Sequence, residues 1–311
     1  MDGRDKGLLP MIVGPTASGK TALAVSLAQA LNGEIVSCDS MQVYRGMPIA
    51  TAQPTLEERQ GIPHHLIGFL DPSEHYSVAR FVEDAQAVIE DIRRRGKCPL
   101  VVGGTGLYAD ALADGLCFAG GAHDPDLRRR LNERAEREGN AALLAELASI
   151  DPAYAEGLHV HDRKRILRAL ELWYADGVRL SDEKAAFKPS SSPYDPLWIG
   201  ITFADRQMLY DRIDRRVDEM VRQGLIEEAR AALIGDTAAQ AIGHKELSGY
   251  LAGEEPLEDG LARLKQQTRH YAKRQLSWFR RRADIHWLYA DREKNLTEAA
   301  LSYIRERRES V

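Results

Sequence analysis

Near the start of the chain, apolar residues fall in short unbroken runs and at helical spacing between them. Leu8, Leu9, Met11, Ile12 and Val13 form one run around Pro10, and Leu23, Leu27 and Leu31 recur every four residues behind it. A run that short predicts a buried strand, and that spacing predicts a helix over Thr21 to Leu31. Glu34 to Cys38 predicts a second strand, Val78 to Arg95 an amphipathic helix through Phe81, Ala85, Val88 and Ile92, and Pro99 to Val102 a third strand. Strands alternating with covering helices predict an α/β fold with a parallel sheet. From Phe118 to Pro196 the texture turns charged, helical and strand-poor, bounded by Gly120-Gly121 and by the Ser, Pro and Asp residues between Lys188 and Pro196. This stretch, 118–196, is expected to be a helical domain inserted into a core made of 1–117 and 197–311. Leu197 to Phe203 predicts a strand returning to the sheet, followed by long helices over 205–231 and 257–282 and a last strand at Ile285 to Tyr289.

With 311 residues, 44% of them hydrophobic, the chain can bury a large core. Cys38, Cys98 and Cys117 are odd in number and form no C-x-x-C pair, which argues against a disulfide framework and a zinc site. No stretch approaches the roughly 18 apolar residues of a membrane span, and no apolar signal segment precedes the first strand. A reducing cytoplasm is the expected compartment. No oligomerisation heptad is visible, so a monomer is expected. The net charge of −5 gives no hint of a nucleic-acid partner, so any basic surface must be found by position.

Gly14-Pro15-Thr16-Ala17-Ser18-Gly19-Lys20-Thr21 matches G-x-x-x-x-G-K-[ST] between a predicted strand and helix, where a phosphate loop must sit. Its glycines let backbone N–H groups turn inward around a di- or triphosphate, the helix N-terminus adds partial positive charge, and Lys20 adds a full one. Thr21 is placed to hold Mg²⁺ through its hydroxyl. Ligands of an open parallel sheet bind at the C-terminal ends of its strands. Two further clusters qualify: Asp39-Ser40-Met41-Gln42, and Gly103-Gly104-Thr105-Gly106-Leu107-Tyr108. Asp39 can act as a proton acceptor, cap a helix or join a metal sphere. His64-His65, after Pro63, is expected in a loop with a structural or hydrogen-bonding role rather than as metal ligands.

From Arg263 to Arg282 there are eight Lys or Arg residues and no Asp or Glu. Lys265, Arg269 and Lys273 recur every four residues and share a helical face, while Leu264, Thr268, Tyr271, Gln275 and Trp278 form another stripe that can pack or stack. Arg128-Arg129-Arg130 opens the insert, and Arg163-Lys164-Arg165 with Arg168 lies within it. Clustered cations of this kind are the electrostatic footprint of a phosphate backbone, so nucleic-acid contact is predicted.

Taken together, the phosphate loop, the D-S-M-Q-V-Y-R stretch at 39–45, Pro63-His64-His65-Leu66, G-G-T-G-L-Y at 103–108, R-x-x-R-A-L-E ending at Glu171 and T-R-x-Y-A-K-R-Q-x-x-W-F-R at 268–280 resemble the bacterial tRNA isopentenyltransferase family. The resemblance covers nearly the whole chain. It implies a P-loop NTPase-like parallel sheet with flanking helices, and transfer of a dimethylallyl group from its diphosphate to N6 of adenosine 37 in tRNAs reading codons that start with U. Gly14 to Thr21 would bind the diphosphate. Asp39, Lys20, Thr21 and Thr105 would be catalytic, with Mg²⁺ on Thr21. Contacts to the tRNA anticodon stem-loop would come from Asp39, Ser40, Met41, Gln42, Thr105, Arg128, Arg163, Lys164, Arg165, Ile166, Leu167, Lys265, Arg269, Lys273 and Arg274. Ala50 and Gln53 depart from the family's usual Gly and Lys, His161-Asp162-Arg163-Lys164-Arg165 from its N-D-x-x-R, and Gly243-His244-Lys245-Glu246 from its G-Y-K-E. Rival readings are a small-molecule P-loop kinase, which leaves the basic C-terminal helix without a task, a prenyltransferase of free adenine nucleotides, and a non-catalytic RNA-binding module.

Overall fold

Strand β1 (Leu8–Val13) is buried from Leu9 onward because it pairs on both edges, with β4 (Cys98–Gly103) and with β5 (Asp195–Thr202). The computed structural model of the protein describes residues 7–115, 124–182, 192–231 and 243–309. Its sheet is six-stranded and parallel throughout, in the order β3-β2-β4-β1-β5-β6, with β2 at Gly33–Cys38, β3 at His64–His65 and β6 at His286–Tyr289. The helices in chain order are α1 (Lys20–Leu31), α2 (Leu56–Arg59), α3 (Val78–Arg94), α4 (Gly106–Ala113), α5 (Pro125–Glu138), α6 (Asn140–Ile150), α7 (Pro152–Ala155), α8 (Arg163–Asp176), α9 (Arg206–Arg222), α10 (Leu225–Ala231), α11 (His244–Leu251), α12 (Leu257–Phe279) and α13 (Leu296–Glu309). One core packs Ile12, Ile35, Leu100 and Ile199 of the sheet against Leu27 of α1 and Ile304 of α13. Among the described residues no helix is long and apolar enough to cross a membrane.

Several elements differ from the sequence expectation. His64–His65 is a two-residue edge strand rather than a loop, in register with Ile35 and Val36, and two residues are too few to show a period. The helix expected over 205–231 is two helices, because Gly224 turns at φ +102°, a conformation that side-chain-bearing residues rarely adopt. β5 begins at Asp195, two residues before Leu197, because Leu8 and Leu9 supply pairing partners for Asp195 and Pro196.

The chain divides into two compact units, Met1–Ala113 with Ser192–Val311, and Asp114–Ser191. Cys117, Phe118, Gly120-Gly121 and the Lys188 end of the second boundary lie outside the described residues. In the smaller unit, α5 starts where the Asp124 carboxylate accepts from the Asp126 and Leu127 amides. Its core is Leu131, Leu143, Leu147, Ile166, Leu167 and Leu170.

Candidate active site

Parallel pairing brings the ends of β1, β2 and β4 side by side, with Val13 opposite Gly103 and Gly103 opposite Cys38. The three sequence clusters follow these strand ends directly. Helix α1 opens after Gly19 with no side-chain cap, so its first amides remain available to a ligand. The Asp39 carboxylate accepts through Oδ1 from the Met41 amide at 2.9 Å and from the Gln42 amide at 3.3 Å, closing its own turn. The Ser40 amide donates to Thr105 Oγ1 at 3.1 Å, which joins the β2 turn to the β4 turn. Gln42 spans the loop behind, its Oε1 accepting from Ser37 Oγ at 3.0 Å and its Nε2 donating to the Ala52 carbonyl at 3.0 Å.

These turns border a cavity of about 330 Å³, lined by Thr16, Lys20, Thr21 and Arg216 and by Asp39 to Gln42. Tyr271, Arg274 and Gln275 line it too. A second cavity, of about 840 Å³, shares Lys20, Thr21 and Arg216 and runs along Ala17, Ser18 and Gly19. Gly14 and Pro15 line neither cavity and act through the course of the loop. Thr105 is held behind the first cavity by its bond to Ser40 and by the Tyr271 hydroxyl. Lys20 Nζ donates to the Pro15 carbonyl at 2.6 Å. Burial, then the Arg216 cation, pushes its pKa down to about 7, against the opposing pull of Asp39. Burial also lowers the pKa of Arg216, and no ion pair among the described residues neutralises it. Two desolvated basic groups lining the same cavity are a site that favours an anion.

The Gln53 side-chain amide donates to the Gln42 carbonyl at 3.0 Å and to the Tyr44 carbonyl at 2.8 Å. It holds the loop and does not line the first cavity. Ala50 lines that cavity, and its amide donates to Glu228 at 2.7 Å. His65 Nε2 meets Glu34 at 2.8 Å and His64 Nδ1 meets the Ile62 carbonyl at 2.9 Å, so both histidines have hydrogen-bonding roles.

The expected RNA-facing residues separate into two kinds. Lys265 and Arg269 turn toward α9, where Lys265 pairs with Asp218 at 2.6 Å and Arg269 with Asp214 at 2.7 Å. They form an inter-helix seam, because α9 carries acids at the matching four-residue spacing. Lys273 and Arg274 on the same helix are exposed. In the smaller unit Ile166 and Leu167 are each 1% exposed, so their side chains belong to its core. Arg128 pairs with Glu171 at 3.1 Å, and Arg163 donates to the Asn132 carbonyl at 3.1 Å. Arg165 pairs with Asp162 at 3.4 Å yet stays exposed, as does Lys164.

Comparison with known proteins adds to this geometry. The IPP transferase family model matches residues 42–282, and the isopentenyl transferase model matches 8–67. The chain belongs to the IPP transferase family. It is 44% identical over 301 residues to the tRNA dimethylallyltransferase of Thermoanaerobacter sp. (strain X514), covering 95% of this chain and 96% of that one. A crystal structure of the tRNA isopentenylpyrophosphate transferase of Bacillus halodurans matches with TM-score 0.70 and 41% identity, over 98% of this chain and 99% of that one. A eukaryotic dimethylallyltransferase, described as acting on tRNA, matches with TM-score 0.83 and 32% identity, over 98% of this chain and 80% of that one. The family is one of prenyl-transferring enzymes with a P-loop NTPase-like core, and the six-stranded parallel sheet here has that form. In this transferase the sequence reading missed Arg216 and the inward roles of Tyr271 and Gln275. Gln275 accepts from the Thr16 amide at 2.8 Å and donates to the Gly104 carbonyl at 3.0 Å. The one available signal was the shared spacing of Tyr271, Gln275 and Trp278, which marks a helix face but not what it meets.

Proposed function

We propose that the protein transfers a dimethylallyl group from dimethylallyl diphosphate to N6 of adenosine 37, beside the anticodon of tRNAs that read codons starting with U, and releases diphosphate. The observation that carries this reading is one cavity lined by Lys20, Arg216 and Asp39, in which neither cation has an ion pair within 4 Å among the described residues. The adenine amine is a weak nucleophile because its lone pair is delocalised into the ring. As the N6–carbon bond forms, Asp39 accepts the amine proton. The allylic carbon–oxygen bond breaks, and its electron pair leaves on diphosphate. Lys20, Arg216 and the uncapped amides of α1 stabilise that charge. The base must leave its stack to reach a carboxylate in this cavity, so extrusion of adenosine 37 belongs to the mechanism.

Among the described residues no group of three or more His, Cys, Asp or Glu could form a metal cage. Thr21 at the start of α1 offers one hydroxyl beside the anion site, which suits Mg²⁺ because that ion takes few protein ligands and completes its shell with phosphate oxygens and water. When bound it would neutralise charge on the diphosphate. Exposed Lys273, Arg274, Lys164 and Arg165 are the candidates for contact with tRNA phosphates.

The test is incubation with labelled dimethylallyl diphosphate and, separately, unmodified tRNA or AMP. Label is expected in tRNA and not in AMP. Label in AMP alone, or in neither acceptor, overturns the reading.

A further inference from the structure

Gln275 is 5% exposed, and its one planar amide makes two hydrogen bonds to segments far away in the chain. Through Oε1 it accepts from Thr16 in the phosphate loop, and through Nε2 it donates to Gly104 in the turn that carries Thr105. Room for the amide exists because residue 104 is glycine: a Cβ there would stand 2.0 Å from Gln275 Nε2. Neighbouring residues on the same face of α12 also grip that turn. Tyr271, one helical turn earlier, hydrogen-bonds Thr105, and Trp278, one turn later, packs on Gly106 and donates to Asp110 at 2.8 Å. The opposite side of the helix carries exposed Lys273 and Arg280. A polyanion bound outside therefore acts on the helix whose inner face holds both turns.

We propose that Gln275 is a positioning residue that couples the diphosphate side of the site to the acceptor side, so that occupancy of one sets the geometry of the other. This rests on the transferase reading above. The coupling is reciprocal by thermodynamic necessity: tRNA tightens diphosphate binding by the same factor by which diphosphate tightens tRNA binding.

The experiment measures single-turnover transfer from labelled dimethylallyl diphosphate to unmodified tRNA. Alongside, it measures the affinity for inorganic diphosphate with and without tRNA. In the wild type, tRNA is expected to tighten diphosphate binding by about 5–150-fold. Gln275→Met fills similar space without either hydrogen bond, and Gly104→Ala displaces the amide while leaving Gln275 in the chain. Both are expected to slow single turnover about 10–100-fold, as a displaced reacting group does. Affinities for each ligand alone should stay within about threefold of wild type, with the coupling factor falling toward one. Gln275→Glu keeps the acceptor for Thr16 but can donate to Gly104 only when protonated. Its rate relative to wild type should therefore rise as pH falls through the pKa of the new carboxyl, which burial raises.

A packing role alone lowers the melting temperature without that recovery of rate. Should Gln275→Met fail to fold, Gly104→Ala and Gln275→Glu decide. The proposal is overturned by unchanged turnover and coupling in a folded variant, by a flat pH ratio for Gln275→Glu, or by absence of coupling in the wild type. If the wild type transfers no label to tRNA, the transferase reading fails by itself. The diphosphate and tRNA titrations still judge Gln275.

Discussion

Lys20 stands between opposed influences. Burial and Arg216 drive its ammonium toward the neutral amine, with the pKa pushed down to about 7, while Asp39 favours the charged form. Near pH 8 the free protein therefore holds Lys20 largely neutral, and an arriving diphosphate should draw a proton onto it. Calorimetric titration with inorganic diphosphate at pH 8, in buffers of different ionisation enthalpy, should show more proton uptake by the wild type than by Lys20→Met. The same shift has a consequence for stability: the unfolded lysine is protonated where the folded one is not, so this group's contribution weakens as pH falls from the usual lysine range toward 7. Arg216 contributes a second cation, and Arg216→Ala should weaken diphosphate binding by about 10–100-fold, the worth of a hydrogen bond to a charged group. Asp39 has a different task. Asp39→Asn should leave tRNA affinity near wild type and lower the single-turnover rate about 10²–10⁴-fold, as loss of a general base does. An unaffected rate would reduce Asp39 to closing the turn through Met41 and Gln42.

Helix α12 divides its cations between two uses, and a salt titration separates them. Lys265 and Arg269 answer Asp218 and Asp214 on α9, and Arg263 pairs with Glu255 and donates to the Glu246 carbonyl. Lys273 and Arg280 are exposed with no ion pair among the described residues. Lys273→Gln with Arg280→Gln should flatten the dependence of tRNA binding on salt, each lost phosphate contact reducing the slope by about 0.7–0.9. Lys265→Gln with Arg269→Gln should leave the slope as it was and lower stability by about 0.5–1 kcal/mol per pair, since these pairs are partly solvated. The reverse pattern would mean that α12 opens away from α9 when RNA binds.

Across the whole molecule, the far end of the sheet is fastened by Glu34, a carboxylate buried at the start of β2. Arg95 after α3, Lys97 before β4 and His65 of β3 converge on it, Arg95 Nη2 at 2.7 Å, Lys97 at 2.7 Å and His65 at 2.8 Å. The Arg95 hydrogen bond, with Lys97 and His65, outweighs burial and holds Glu34 well below the usual carboxylate range. A depressed carboxylate stabilises the fold above its unfolded pKa, and that contribution is lost as pH falls through the acid range below it. Glu34→Gln should lower stability at pH 7 by about 1–3 kcal/mol, because Arg95 and Lys97 can still reach water, and should flatten the acid side of the stability profile. Urea unfolding at pH 7 and at successively lower pH measures both effects.

The phosphate loop was legible because eight contiguous residues carry the whole arrangement in their own backbone and one lysine. Asp39 and Ser40 were legible by a rule that needs only the order of strands and the end at which ligands bind. What pattern could not reach were partners supplied from afar. Thr16 and Gln275 are 259 residues apart, and the spacing of Gln275 identifies a face of α12 without naming what that face meets. Lys265, Arg269 and Lys273 are equivalent in the sequence, and only the packing of α9 against α12 turns two of them inward onto Asp218 and Asp214. Ile166 and Leu167 follow three basic residues, yet the helical period turns them into the core of their unit. Local hydrogen bonding and periodicity depend on neighbours along the chain and can be inferred from residue order. Desolvation, ion pairing and the shape of a cavity depend on neighbours in space, which exist only once the elements have packed.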